Sequence, residues 1–294
     1  MYFHNLMAAV KYTVTVYSVG GNLSSTPVTL SKFTLPNKVE ILNVTMVTET
    51  SVSLSWDKPA GGTVSYIINV QGEKNQSIQT NLISYTVNSL IPGNLYTFTV
   101  TSEVEDKSQR SEGFNIMKYT KPSKVSNLRV SNITTTSLQL TWAPPTGNAT
   151  SYRVKAVNDS NHMFDNCTVK QTNVTVTKLP AGTKITLSVA ALVNDTEEGD
   201  YVTTVNYTVP NKVEILNVKM VTETSVSLSW DKPAGGTVSY IINVQGEKNQ
   251  NIQTNLTSYT VNSLIPGNLY TFTVTSEVED KSQRSEGFNI MKYT

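Results

Sequence analysis

Asparagine is the residue type whose spacing points most directly to chemistry in this chain. The acceptor pattern for N-linked glycans, Asn-x-Ser/Thr, occurs at Asn22, Asn43, Asn75, Asn132, Asn148, Asn158, Asn166, Asn173, Asn194, Asn206 and Asn255. Between Lys121 and Thr208, seven of nine asparagines stand in that pattern. Ser and Thr make up about a quarter of this segment, so chance pairing predicts roughly two. The chain therefore reads as extracellular material that has passed through the secretory pathway and carries glycans.

Other chemistry fails on inventory. The only histidines are His4 and His162, and neither lies in residues 36–120 or 209–294. Ser-His-Asp and Cys-His arrangements are therefore excluded there. No Cys/His metal spacing, Walker loop or Gly-x-Gly-x-x-Gly is present. Cys167 is the sole cysteine, so no disulfide forms within the chain. It occupies a strand position matched by Ile78 and Ile252, which predicts a small buried hydrophobe rather than a reactive thiol. The run Asn194-Asp-Thr-Glu-Glu-Gly-Asp200 offers carboxylates of the kind Ca²⁺ takes, but before a last strand it reads as a solvated loop. These residues predict no enzyme, no cofactor, no metal and no small-molecule substrate.

Charge removes a further class. The formal net charge of the 294 residues is +1, and no basic stripe with interleaved aromatics occurs, so nucleic acid is not an expected partner. No apolar run approaches the ~18 residues needed to span a bilayer. Residues 1–20 do not form a signal peptide, because His4, Asn5 and Lys11 interrupt the apolar stretch.

The elements that carry these residues are set by a repeat. Pro36–Thr120 and Pro210–Thr294 differ only at Thr45/Lys219, Ser77/Asn251 and Ile83/Thr257. A stretch copied whole is a stretch that folds whole, and 85 residues suffice for one core. Period-two alternation dominates it: Val52, Leu54 and Trp56 form one inward row, Tyr66, Ile68 and Val70 a second, and Tyr96, Phe98 and Val100 a third. Turn signals at Lys58–Gly62, Gln71-Gly72 and Ile91–Asn94 separate these rows. The middle segment shares few identities but keeps the rows, with Leu138, Leu140 and Trp142, then Tyr152, Val154 and Ala156, then Ile185, Leu187 and Val189.

This yields three units, 36–120, 121–208 and 209–294, preceded by residues 1–35 as the C-terminal part of a truncated unit. Such a half-sandwich exposes an apolar face, and the chain reads as a fragment of a longer one. Proline at Lys121-Pro122 and Val209-Pro210 stiffens very short joints, which predicts a semi-rigid rod.

The Trp at the end of one strand, the Tyr after the next turn and Leu90-Ile-Pro-Gly-Asn-Leu-Tyr96 together resemble the fibronectin type III domain. Trp230, Tyr240 and Leu264–Tyr270 repeat them. The resemblance implies an all-β chain of tandem immunoglobulin-like, seven-stranded β-sandwiches. Trp56, Trp142, Trp230, Tyr66, Tyr152, Tyr240, Tyr96 and Tyr270 are then core residues. Burying one Trp removes about 150–250 Å² from water, worth on the order of 4–6 kcal/mol, so a domain of this size needs no disulfide. Tyr96 and Tyr270 suit the tyrosine corner, and Ile185 cannot make its bond, which predicts a looser corner in the middle unit.

Short-jointed, glycan-rich arrays of this kind resemble the ectodomains of many-repeat receptor-type tyrosine phosphatases. That resemblance implies a non-catalytic adhesion or recognition stalk of a plasma-membrane receptor, meeting an extracellular protein ligand or cell-surface partner. The alternative is a secreted matrix glycoprotein of tenascin or fibronectin type. An accessory domain of a carbohydrate-active enzyme lacks its row of exposed aromatics, and a cytokine-receptor module lacks its Trp-Ser-x-Trp-Ser. The Arg-Gly-Asp integrin motif is also absent.

Overall fold

Alternating side chains of β-branched and aromatic type, broken by Gly and Pro every few residues, leave strands as the only regular element for most of this sequence. The computed structural model describes residues 2–237 and 239–294; Met1, in the partial unit, and Val238, in the last repeat, lie outside the described residues. Every regular element of it is a β-strand.

In the first complete sandwich, one sheet orders Leu42–Val47, Val52–Trp56 and Ser84–Val87. The other orders Phe114–Tyr119, Leu95–Val104, Val64–Gln71 and Gln76–Thr80. All pairings are antiparallel, as short loops require. The last sandwich repeats this three-plus-four arrangement with Leu216–Val221, Val226–Trp230 and Ser258–Val261 against Gln250–Thr254, Ser239–Gln245, Leu269–Glu277 and Phe288–Tyr293. The middle one uses Ser126–Ser131, Leu138–Ala143 and Asn173–Val176 in one sheet. Its second sheet holds Met163–Val169, Ser151–Val157, Lys184–Val193, the two-residue Glu197–Glu198 and Val202–Tyr207.

The inward rows meet between the sheets. Trp56 is 2% exposed and Tyr66 also 2%, with ring centroids 5.3 Å apart in an edge-on arrangement. Trp142 with Tyr152 and Trp230 with Tyr240 repeat that contact at 5.4 and 5.3 Å. Edge-to-face rings align the quadrupoles favourably, which adds to the area term. Tyr96, Phe98, Tyr270 and Phe272 are fully buried.

Residues 2–35 supply only a hairpin, Lys11–Val16 on Val28–Phe33, with a short outer extension, Val19–Gly20 on Leu23–Ser24. Val16, Val28 and Leu30 remain exposed on it. The contacts of the chain group it into two compact units. Among the described residues, one holds 2–123, 145–150 and 191–199; the other holds 124–144, 151–190, 200–237 and 239–294.

Three local expectations need correction. Cys167 is half-buried rather than buried, because its strand, Met163–Val169, lies at the edge of its sheet. The acidic run 194–200 is not a fully solvated loop. Glu197 and Glu198 are half-buried in a two-residue strand against Val193 and Leu192, and Glu197 pairs with Lys118. The corner at Ile185 is not loosened either. The residue that would donate to its missing hydroxyl is Pro180, which has no N–H, so donor and acceptor are lost together and Ile185 packs with no exposed surface.

Candidate functional site: a recurrent corner and the glycan acceptors

The first three units lead into the next domain through one corner geometry, and the last unit repeats that corner's internal bonds. A strand-start tyrosine turns back on the loop before it: the hydroxyl of Tyr96 accepts from Ile91 N–H at 3.0 Å, and that of Tyr270 from Ile265 N–H at 3.1 Å. The partial unit does the same with Tyr12 and Met7 N–H at 3.0 Å. A threonine at the end of the last strand closes the turn from the other side. Thr34 donates to Met7 C=O at 2.6 Å, Thr120 to Ile91 at 2.7 Å, Thr208 to Pro180 at 2.7 Å and Thr294 to Ile265 at 2.8 Å. These threonines escaped sequence reasoning. The signal that could have found them is the spelling Thr34-Leu-Pro36, Thr120-Lys-Pro122 and Thr208-Val-Pro210.

Beyond the corner, backbone packs against backbone. Gly62 N–H donates to Ala8 C=O at 2.9 Å, Asn148 N–H to Pro92 C=O at 3.1 Å, and Gly236 N–H to Ala181 C=O at 2.9 Å. The approach leaves no room for a side chain. A Cβ on Gly93 would lie 1.9 Å from the Asn148 carbonyl oxygen, and one on Gly182 would lie 1.7 Å from that of Gly236. Both glycines also sit at positive φ, at 69° and 61°, which L side chains rarely adopt. Side chains add a rim of polar pairs. Lys118 pairs with Glu197, Asn148 Nδ2 donates to Asn94 Oδ1 at 2.7 Å, and Tyr207 Oη donates to Glu279 Oε2 at 3.2 Å. Burial first, and the Glu279 carboxylate second, push the Tyr207 phenol above its ordinary value.

A buried carboxylate marks the two copied domains. Glu103 is 1% exposed and is held by Arg110 Nε at 2.8 Å and Gln79 Nε2 at 2.9 Å. Glu277, with no exposed surface, has Arg284, Gln253 at 2.8 Å and Ser239 Oγ at 3.1 Å. A buried ion must be paired and hydrogen-bonded, and here both oxygens are. At the same place in its ten-residue strand the middle domain has Leu192. The cluster is an internal anchor; among the described residues no group of His, Cys, Asp and Glu could hold a metal ion. Cys167 carries no activation either: burial and the neighbouring Asp165 raise its thiol above the usual range.

Asn22, Asn43, Asn75, Asn132, Asn148, Asn166, Asn173, Asn194 and Asn255 are exposed, and Asn158 and Asn206 are half-buried. Asn43 and Asn173 lie on strands and face away from the core, alternating with inward neighbours. Two of these sequons overlap the corner: Asn148 bonds Asn94, and the Asn206 sequon ends in the Thr208 hydroxyl that closes the turn. The tyrosines Tyr66, Tyr152 and Tyr240 lie in the three cores, and burial raises each phenol. Among the described residues, no helix is long and apolar enough to cross a membrane.

Comparison with known proteins gives one family. The profile of the Fibronectin type III domain matches residues 37–115, 123–205 and 211–289. Receptor-type tyrosine-protein phosphatase eta of Gallus gallus is 33% identical over 98% of this chain, and receptor-type tyrosine-protein phosphatase H of Homo sapiens is 32% identical over 88%. Tenascin-R of Mus musculus is 26% identical over 91%. The chain spans 21%, 24% and 20% of the length of these relatives. A solved two-domain fibronectin type III segment of chicken tenascin overlays 58% of this chain and 99% of its own, at 24% identity and a TM-score of 0.45.

Proposed function

Because this chain belongs to the fibronectin type III family, a non-catalytic module, we propose that it is an extracellular recognition stalk of a cell-surface receptor of receptor-type tyrosine phosphatase kind. The observation that carries this reading is the alignment of nearly the whole chain with two such phosphatases at 32–33% identity. The lower identity to Tenascin-R gives less support to a secreted matrix glycoprotein. In this reading the independently folding units are 36–120, 121–208 and 209–294, after a partial unit at 1–35. The eleven sequons carry N-linked glycans, and the eight core aromatics supply stability in place of disulfides. The ligand is an extracellular or cell-surface protein.

The glycans also locate the contact surface. Seven sequons crowd the middle domain, and the last domain keeps only Asn255. Protein contacts then fall on the first and third domains. Removing the middle-domain glycans and finding a new, specific partner there would sink that placement.

The function itself is tested on intact cells that express the protein. An antibody to the third domain should stain unpermeabilised cells, and only detergent should release the antigen. Staining that requires permeabilisation, or release by a high-salt wash of the matrix alone, overturns the receptor reading.

A further inference from the structure

The copied domains cover the outer face of their larger sheet with their own side chains. In the first, Asn69 faces Ser77 and Ile67 faces Gln79. Ser77 Oγ donates to Asn69 Oδ1 at 2.9 Å, and Gln79 Nε2 reaches Glu103 at 2.9 Å. In the last, Asn243 faces Asn251, and Gln253 reaches Glu277 at 2.8 Å. The middle domain places Lys155 opposite Asn166 and Arg153 opposite Thr168. Thr168 is shorter than the glutamines, and Leu192 stands where they find a glutamate.

Arg153 and Lys155 alternate with the buried Tyr152, Val154 and Ala156, so both point outward. Lys155 is half-buried, and its ammonium lies 4.2 Å from the centre of the Tyr201 ring. Arg153 is half-buried as well, and its buried Nε finds no hydrogen-bond partner among the described residues. A buried donor without an acceptor is costly, and native structures rarely leave one. Asn166 is exposed in the middle of Met163–Val169, and its sequon, ending at Thr168, spans the same two register positions.

We propose that Arg153, Lys155 and Tyr201 form a seat for the first N-acetylglucosamine of the glycan on Asn166. This rests on the reading that the Asn166 sequon is occupied. A sugar linked there starts one strand away from Lys155, with Cβ atoms roughly 5 Å apart, and lies across the sheet toward Arg153. Its N-acetyl and hydroxyl oxygens are acceptors for the Arg153 Nε–H and the Lys155 ammonium. Its C–H face packs on the aliphatic stem of Lys155. The seated sugar supplies the cover that Gln79 and Gln253 supply in the copies. It also lays the glycan along this sheet and withdraws the face from protein partners.

The test uses the full chain secreted by cells that make only high-mannose glycans. One sample keeps its glycans, and a second is trimmed enzymatically, while folded, to one N-acetylglucosamine per site. A third is Asn166→Gln, which removes this acceptor alone. Mass spectrometry reads occupancy at Asn166, and amide hydrogen exchange of residues 151–157 and 163–169 reads the seat. Exchange should be equal in the first two samples, since the first sugar suffices, and about three- to tenfold faster in Asn166→Gln. Asn173→Gln, on the opposite sheet, should leave both segments unchanged. With Arg153→Met, which keeps the stem and removes the donor, loss of the Asn166 sugar should change exchange far less. Equal exchange with and without that sugar overturns the seat, as does a loss of the same size with Arg153→Met. An unoccupied Asn166 overturns the glycan reading at this sequon too, so mass alone tells the two failures apart.

Discussion

The two copied sandwiches and the middle one fill the same frame with different polar anchors. The copies tie the loop before their sixth strand with a tyrosine hydroxyl and lock the end of that strand with a buried glutamate. The middle domain has Ile185 where the tyrosine stands and Leu192 where the glutamate stands. In each case the partner has gone too: Pro180 removes the donor, and no arginine in the loop after Leu192 faces it. Polar anchors in a core are therefore exchanged as sets. Removing one member alone leaves an unsatisfied group, whereas removing all of them restores an apolar contact.

The largest effect should come from splitting such a set. Arg110→Met leaves the Glu103 carboxylate buried without its cation, and the first domain should lose on the order of 3 kcal/mol. Adding Glu103→Leu and Gln79→Leu, toward the middle domain's solution, should recover most of that loss. Denaturant titration followed at Trp56 measures both. If the single variant is as stable as the triple one, the exchange of anchors as sets is wrong.

Next comes the tyrosine corner. Tyr96→Phe strands the Ile91 N–H and should cost about 1–2 kcal/mol. Pro180→Ile in the middle domain creates the same orphan donor. A double-mutant cycle of Tyr96→Phe with Ile91→Pro should show favourable coupling, because the proline has no N–H to strand. Additive losses would break the comparison.

A smaller effect concerns alkaline pH, to which each domain should respond through a core phenol and the middle one through Tyr207 as well. Burial raises Tyr66, Tyr152 and Tyr240 above the ordinary tyrosine value of about 10. The unfolded chain therefore loses these protons first. Stability is fully present below that value and is lost as pH rises through the raised folded values. Unfolding midpoints at pH 9 and pH 11 should differ, and Tyr66→Phe should flatten the dependence in the first domain alone. The smallest effect is chemical: Cys167 should alkylate more slowly than free cysteine at pH 8 and gain reactivity only at higher pH, because its thiol is raised.

Much of the sandwich was legible in the sequence because a pleated strand with one buried face writes its burial into alternate residues. Val52, Leu54, Trp56 and their counterparts could be read without coordinates. The corner was only half legible. Leu-x-Pro-Gly and the tyrosine stand out by residue type, but Thr120 looks like any other threonine in a chain rich in them. Its role depends on a carbonyl 29 residues earlier in the chain, at Ile91. The buried state of Glu103 was hidden for a related reason. Glu103 stands beside Glu105, Asp106 and Lys107 in a charged stretch, and only its register opposite Ser65 brings it under Gln79. Long-range pairing, rather than local pattern, decides such residues.

Glycan occupancy is the most direct test of two sequon-based claims, that the chain has passed through the secretory pathway and that glycans crowd the middle domain. The chain is expressed in a secreting animal cell, deglycosylated enzymatically in ¹⁸O water and mapped by mass spectrometry for conversion of Asn to labelled Asp. Label is expected at most of Asn132, Asn148, Asn158, Asn166, Asn173, Asn194 and Asn206, and within the last domain at Asn255 only. A secreted chain without label in the middle domain would contradict both.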